Sequence, residues 1–129
     1  MHNFKKLNIW IKSMALVKEI YLITNKFPKT EQYGLASQMQ RASVSIPANI
    51  AEGSAKSSNK EFSRFLEISL GSICELETMT IIAKELNYIN SDSFISLDNQ
   101  IQETLLMSKK FKSQLRPNSY SLMSYSLIV

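Results

Sequence analysis

Residues 35–54 constrain the fold most, because they follow a helical pattern on several sides and still contain Pro47. Residues three and four positions apart share one face of a helix. One face is apolar, with Leu35, Met39, Ala42, Ile46 and Ile50. Beside it lies a polar seam, which we define as Arg41, Ser45, Asn49 and Glu52. So narrow a polar band predicts neighbours on more than one side, and those contacts must offset the roughly 3 kcal/mol that a proline costs inside a helix.

Helix-capping residues divide the chain into four predicted helices. Thr30 is placed to cap the second helix, and Gly53 is placed to end it in a left-handed turn. Ser58 and Glu61 have the Ser-x-x-Glu spacing of a capping box at the start of the third helix. The predicted helices span about residues 6–26, 30–53, 58–88 and 94–115. Because short connections make consecutive helices antiparallel, we predict an all-α, up-down-up-down four-helix bundle.

Apolar spacing predicts which face of each helix points inward. The first helix has Leu7, Trp10, Ile11, Met14, Val17, Ile20, Tyr21 and Thr24 on its predicted inner face. The third has Phe62, Phe65, Leu66, Ser69, Ile73, Leu76, Thr80 and Ala83. The fourth has Leu97, Ile101, Leu105, Ser108, Phe111 and Leu115. Gly71 and Ser72 interrupt the bulk of the third helix, and we expect them to let a neighbouring helix approach.

The length of 129 residues fits one domain, which we predict to cover residues 4–116. Residues 117–129 form an uncharged tail with several large apolar side chains, which either frays or packs along a groove of its own or a neighbouring subunit. The apolar runs are too short for a membrane span, and the N-terminus lacks the apolar core of a signal peptide. We therefore expect a cytoplasmic protein.

Residue types that serve catalysis or bind metals are scarce. The only histidine is His2, close to the N-terminus, and the only cysteine is Cys74, whose helical context predicts a small buried residue. Glu75 and Glu77 are two apart and point about 200° apart on a helix, which does not suit paired carboxylates. We therefore expect a protein without a catalytic site, a metal site or a cofactor.

Charge is distributed unevenly along the chain. Residues 1–64 carry 10 Lys and Arg against 4 Asp and Glu, residues 65–108 carry 1 against 7, and residues 109–116 carry 4 against 0. The segment charges are therefore +6, −6 and +4. This asymmetry indicates either a basic surface for a polyanion or complementary patches that meet between subunits, and the sequence leaves both open.

Two clusters of basic residues are candidate nucleic-acid contacts. The first comprises Lys109, Lys110, Lys112 and Arg116 near the end of the fourth helix. The second comprises Lys56, Lys60 and Arg64 between the second and third helices, and it joins the first only if the bundle brings these helix ends together. Solvated charge near helix ends also explains both clusters. The polar seam also has two interpretations. It is either a structural network that fixes helix register or subunit contacts, or a groove that contacts a ligand.

The run SQMQRASVSIPANIAEGSAKSSNKEFSRFLEISLGSICELE, preceded by an aromatic-rich first helix and the turn FPKTEQYGL, resembles a known family. This family comprises four-helix-bundle proteins encoded within intervening sequences of bacterial 23S rRNA genes, and the resemblance covers roughly residues 4–116. Its superfamily includes the accessory variability determinant of diversity-generating retroelements, which assembles as a pentamer and binds nucleic acid alongside a reverse transcriptase. The resemblance implies a homo-oligomer without known catalysis, with a cyclic pentamer as its expected form. From the basic clusters we predict that it binds RNA or DNA, mainly through phosphate contacts. A scaffold that docks a protein such as a reverse transcriptase is the alternative.

Overall fold

The computed structural model describes residues 3–115 and contains four α-helices within that range. They are α1 (Asn8–Thr24), α2 (Leu35–Ser54), α3 (Asn59–Glu85) and α4 (Ser91–Gln114). Short 3-10 helices at Phe4–Lys6 and Lys29–Glu31 precede α1 and α2. The described residues contain no strand, so the all-α prediction is confirmed. The predictions for Arg116 and for the 117–129 tail lie outside the described residues.

Hydrogen bonds between α2 and α3 show that these two helices run in opposite directions. Ser69 Oγ donates to the Ile46 carbonyl at 2.8 Å, and Ser72 Oγ donates to Ser45 Oγ at 2.9 Å. A later residue of α2 therefore meets an earlier residue of α3. The four-residue connection between the two helices leaves room for little else.

The contacts of α3 with α4 have the same antiparallel order. The Lys112 ammonium lies 3.4 Å from the Glu67 carboxylate, and the Gln102 side chain donates to Glu77. Phe62 and Phe111 pack together with ring centroids 5.4 Å apart. The start of α3 therefore lies beside the end of α4.

Contacts of α1 complete the arrangement. Gln40, near the start of α2, donates to Thr24 Oγ1 at the end of α1 at 3.0 Å. Lys12 on α1 pairs with Glu103 on α4 at 2.8 Å. The start of α1 therefore lies at the same end of the bundle as the end of α2, the start of α3 and the end of α4.

Apolar side chains from all four helices fill one continuous core. Its largest fully buried members are Phe62, Phe111, Leu7, Ile9, Leu16, Ile20, Met39, Ile46, Ile50, Leu66, Ile73 and Leu76. Pro47 is buried within this core, and α2 continues past it to Ser54. Because Ile46 and Ile50 are fully buried on either side of the proline, tertiary packing holds the helix through the lost hydrogen bond.

The predicted inner face of α1 is wrong in part. Ile11, Met14 and Tyr21 are 50%, 43% and 46% exposed in the described chain. The buried row consists instead of Ile9, Ser13, Leu16, Ile20 and Thr24. The helix is apolar on two opposite sides, and only one of them packs against α2 and α4.

The prediction that Gly53 ends α2 in a left-handed turn is wrong. Gly53 lies within the helix, and no described glycine has a positive φ. A Cβ added at this position would lie 2.7 Å from Phe65 Cβ and 2.8 Å from Phe62 Cδ1. Gly53 therefore lets α2 and α3 approach closely, because any larger side chain would collide with the two phenylalanines.

Three further predictions about single residues need correction. Thr30 does not cap α2, which begins at Leu35 with its backbone N–H donating to Glu31 Oε1 at 3.2 Å. Gly71 is exposed, and a Cβ there would meet nothing within 4 Å, so no helix of the described chain approaches it. Cys74 is exposed rather than buried. The Ser58 cap of α3 is confirmed, because the Glu61 N–H donates to Ser58 Oγ at 3.2 Å.

Candidate functional site

The connection between α2 and α3 presents the first group of basic residues. Lys56 and Lys60 are exposed, and they flank the Ser58 cap. Arg64 is also exposed and pairs with Glu61 at 3.5 Å, one turn earlier on the same helix. Since the pair is exposed, it adds little to stability and leaves the guanidinium free for other partners.

The end of α4 brings the second group to the same place. Lys109 and Lys110 are exposed. Lys112 is partly buried, and its ammonium pairs with Glu67 on α3. Leu115 and the α3 residues Asn59, Lys60, Ser63, Arg64 and Glu67 line one recess of about 220 Å³. The structure therefore joins the two basic clusters that are about 45 residues apart in the sequence.

The start of α1 extends this surface. Lys5 and Lys6 are exposed on the short helix Phe4–Lys6, which contacts α2. We call the whole surface the basic end and define it as Lys5, Lys6, Lys56, Lys60, Arg64, Lys109, Lys110 and Lys112. Its members come from three separate segments of the chain. Only the bundle topology, and no local motif, brings them to one end.

A groove on the outer side of α3 opens within the basic end. It has a volume of about 440 Å³ and is lined by Lys56, Glu61, Arg64, Phe65, Glu67 and Ile68, and we call it the α3 groove. The Lys56 ammonium lies over the Phe65 ring, 5.1 Å from its centroid. Phe65 is only partly buried, although the sequence pattern places it on the inner face of α3. The fully buried row of α3 runs through Phe62 and Leu66, and Phe65 lies beside this row with its Cβ next to Gly53 on α2.

The polar seam of α2 divides into two parts. Asn49 Nδ2 donates to the Ser45 carbonyl at 2.8 Å and to Ser45 Oγ at 3.0 Å, and Ser45 Oγ also accepts from Ser72 on α3. Arg41 and Glu52 are exposed, and their side chains make no hydrogen bond or ion pair with other described residues. Ser45 and Asn49 therefore form part of a polar network that fixes the register of α2 on α3, whereas Arg41 and Glu52 lie on the surface.

At the opposite end of the bundle, Tyr88 holds the end of α3 against the connection between α1 and α2. Its hydroxyl donates to Glu31 Oε2 at 3.0 Å, and its ring packs on Phe27 with centroids 5.4 Å apart. The hydrogen bond to Glu31, followed by desolvation and the negative charge of that carboxylate, raises the pKa of Tyr88 above its ordinary value of 10.0.

Residues 3–115 contain neither a metal-ligand cluster nor a helix able to span a membrane. No three His, Cys, Asp or Glu side chains come together there in a way that would hold a metal ion. None of the described helices combines the length and the apolar character that a membrane crossing requires.

Comparison with known proteins agrees with this architecture. The family model described as 23S rRNA-intervening sequence protein matches residues 5–110. The chain belongs to this family. The fold is similar to that of a protein with unknown function from the S23 ribosomal protein family of Bacteroides thetaiotaomicron VPI-5482, which was solved by crystallography. That structure aligns with a TM-score of 0.77 and 21% identity, over 82% of this chain and 96% of the other. No curated protein matches the chain.

Proposed function

We propose that this protein is a non-enzymatic nucleic-acid-binding protein whose basic end contacts the phosphate backbone of RNA or DNA. The observation that carries the proposal is the convergence of Lys and Arg from three segments at one end of the bundle. Cations clustered on one surface supply the sequence-independent part of nucleic-acid binding, because neutralised phosphates release their condensed counterions. Membership of a family associated with 23S rRNA genes agrees with this proposal.

Several cations of the basic end are free to meet phosphates. Lys5, Lys6, Lys60, Lys109 and Lys110 are exposed and have no ion pair among residues 3–115. If each neutralises one phosphate, the log–log dependence of affinity on salt has a slope of about −4.5. That slope corresponds to a loss of affinity of about 500-fold between 50 and 200 mM salt.

Fluorescence anisotropy tests this proposal. A labelled structured RNA and a duplex DNA of equal length are titrated with the protein at about 50 and 200 mM salt. Lys109→Gln together with Lys110→Gln should lower the slope by about 1.8, so that affinity falls only about 40-fold over the same range. The matched control is Lys26→Gln with Lys29→Gln, which removes the same charge from two exposed lysines at the other end of the bundle.

The outcomes separate clearly. Steep salt dependence that only the Lys109 and Lys110 substitutions reduce supports binding at the basic end. Equal effects of both double variants would mean that the protein is attracted by its net charge rather than at this surface. Absence of binding at 50 mM salt by the folded protein would refute the proposal and favour the scaffold function, in which the partner is another protein.

We also propose that the protein self-associates through the outer side of α1. Ile11, Met14, Tyr21 and Leu22 are 43–55% exposed along this side, and we call them the α1 apolar face. A second apolar surface lies at the end of α3, where Ile81, Ile82 and Leu86 are 43–50% exposed. A closed ring requires two different surfaces on each subunit, and α1 and α3 are diagonal in the bundle, since each packs against α2 and α4. A ring, such as the pentamer implied by the family resemblance, leaves the basic ends free.

Mass measurement in solution tests the self-association. Light scattering coupled to gel filtration should give a multiple of the 14.7 kDa chain mass. Ile11→Glu should reduce that mass, because it places a charge in the apolar contact. Ile95→Glu, at an equally exposed position on α4, should not. A monomeric wild-type protein, or equal effects of the two variants, would refute this interface.

A further inference from the structure

We propose that the α3 groove is a binding site for an unpaired nucleotide, whose base stacks on Phe65 while Lys56, Lys60 and Arg64 contact the flanking phosphates. This inference rests on the proposed function and narrows its ligand to single-stranded nucleic acid. Stacking on an aromatic ring between cations is the way in which proteins hold single strands without reading their sequence.

The volume of the groove is large enough for one base with its sugar. This volume of about 440 Å³ lies in the range of sites for small ligands, roughly 300–1,000 Å³. Phe65 provides an aromatic ring and Ile68, which is 51% exposed, provides an apolar side chain beside it. Together the exposed Ile68 side chain and the partly exposed Phe65 ring form an apolar surface in contact with water. Covering this surface with a base is favourable through the hydrophobic effect.

The Lys56 contact shows that one face of the Phe65 ring lies at the surface of the protein. An ammonium 5.1 Å from the centroid occupies this face, and Lys56 is itself exposed at the end of α2. Because cation–π pairs at exposed sites are weak, a base can take the place of the ammonium. The displaced ammonium then remains close enough to pair with the phosphate next to that base.

The carboxylates of the groove do not leave it acidic. Glu61 pairs with Arg64 at 3.5 Å, and Glu67 pairs with Lys112 at 3.4 Å. Lys56 and Lys60 have no carboxylate partner among the described residues. The two cations and two carboxylates that line the groove balance each other, and Lys60 and Lys112 beside it make the surroundings positive, as a site for a phosphodiester strand requires.

A second recess next to the α3 groove indicates the path of the strand over the surface. The recess of about 220 Å³ shares Arg64 and Glu67 with the α3 groove and adds Lys60 and Leu115. A strand with one base on Phe65 therefore passes Arg64 and Lys60 with its next phosphate. Bases within a duplex are stacked and paired, so they do not reach a ring that lies in a recess. The groove thus favours unpaired over paired nucleic acid.

Three substitutions test the site. The probes are a mixed-sequence 12-nucleotide RNA without self-complementarity, its DNA equivalent, and the RNA duplex formed with its complement. Phe65→Leu keeps the Cβ next to Gly53 but removes the ring, and it should weaken binding of the single strands by about 5- to 150-fold. Duplex binding, which depends on phosphates, should change less than about 2-fold. Phe65→Tyr keeps the ring and should retain single-strand affinity.

The control is Phe94→Leu, which makes the same change at a partly buried position at the start of α4, at the other end of the bundle. Melting temperatures of all variants confirm that they are folded. Single-strand binding that only Phe65→Leu weakens supports the site, and the ratio between RNA and DNA shows which strand it prefers. Equal loss for single strands and duplex, or equal loss with Phe94→Leu, overturns it.

Failure of this inference is distinguishable from failure of the proposed function. If Phe65→Leu changes nothing while Lys109→Gln with Lys110→Gln still lowers affinity, the groove is refuted and the basic end remains the binding surface. If the wild-type protein binds none of the probes at low salt, both proposals fall.

Discussion

Replacing Gly53 with alanine should destabilise the protein, although alanine is ordinarily the better residue in a helix. The added Cβ would lie 2.7 Å from Phe65 Cβ and 2.8 Å from Phe62 Cδ1. Carbon atoms pack best about 3.5–4.0 Å apart, so each contact is short by roughly 1 Å. Phe65 Cβ is bonded to the backbone and cannot rotate away, which means that α2 and α3 must separate.

The expected magnitude follows from two opposing terms. Forcing an extra methyl group into a packed core costs about 1–3 kcal/mol. Alanine returns about 1 kcal/mol through its better helix propensity. Since one of the two colliding atoms is rigid, we expect the upper part of this range, with a net loss of about 1–2 kcal/mol in the free energy of unfolding. In a domain of this size the melting temperature should fall by about 3–8 °C.

Thermal unfolding followed by far-UV circular dichroism measures this loss. Gly71→Ala is the matched control, because Gly71 is within α3 and a Cβ there would meet nothing within 4 Å. It should raise stability by about 0.5–1 kcal/mol through helix propensity alone. All proteins are compared at one concentration, since self-association would make the melting temperature concentration-dependent. If Gly53→Ala is as stable as the wild type, the close approach of α2 and α3 at this residue is wrong.

Two further predictions concern hydrogen bonds between segments. Ser69→Ala removes the buried bond to the Ile46 carbonyl and should lower the free energy of unfolding by about 0.5–1.5 kcal/mol, measured by urea denaturation. The control is Ser72→Ala, whose hydrogen-bond partner is only partly buried. A loss no larger than that of Ser72→Ala would contradict the prediction that burial makes the Ser69 bond the stronger of the two. Because folding raises the pKa of Tyr88, its contribution is fully present below about pH 10 and is lost as pH rises through the folded pKa. The stability difference between the wild type and Tyr88→Phe should therefore shrink at alkaline pH, and a difference that stays constant as pH rises above 10 would contradict this linkage.

The number and order of the helices could be predicted from the sequence because their signals are local. The Ser58 cap and the apolar row of α3 each depend on residues within a few turns, and the structure confirms the cap and every member of the row except Phe65. The boundaries of α2 were harder to predict. Its first N–H is satisfied by Glu31, four residues upstream, so the sequence pattern around Thr30 pointed to a start that is too early.

The inner face of α1 shows why periodicity has a limit. Ile9 and Leu16 are buried, whereas Ile11 and Met14 on the opposite side are exposed. Both rows have helical spacing, and the spacing does not say which row meets α2 and α4. Gly53 has the same ambiguity, because a glycine near a helix end serves equally for a left-handed turn and for close packing.

The basic end was predictable in its parts but not as a surface. The lysines at positions 56 and 110 belong to different helices, and only the antiparallel path of the chain brings them together. The α3 groove depends further on Phe65 being turned partly outward. No sequence signal distinguishes it from Phe62, its fully buried neighbour one turn earlier.

The position of the basic end affects how this protein can be labelled. A dye attached at Asn3 or near Leu115, which both lie at the basic end, would project over the lysines whose contacts it is meant to report. Asp92, exposed at the start of the 24-residue helix α4, is about 35 Å away along the bundle axis. A reporter there would leave the basic end clear, provided that the exposed Cys74 is first replaced so that thiol chemistry reaches only the new position.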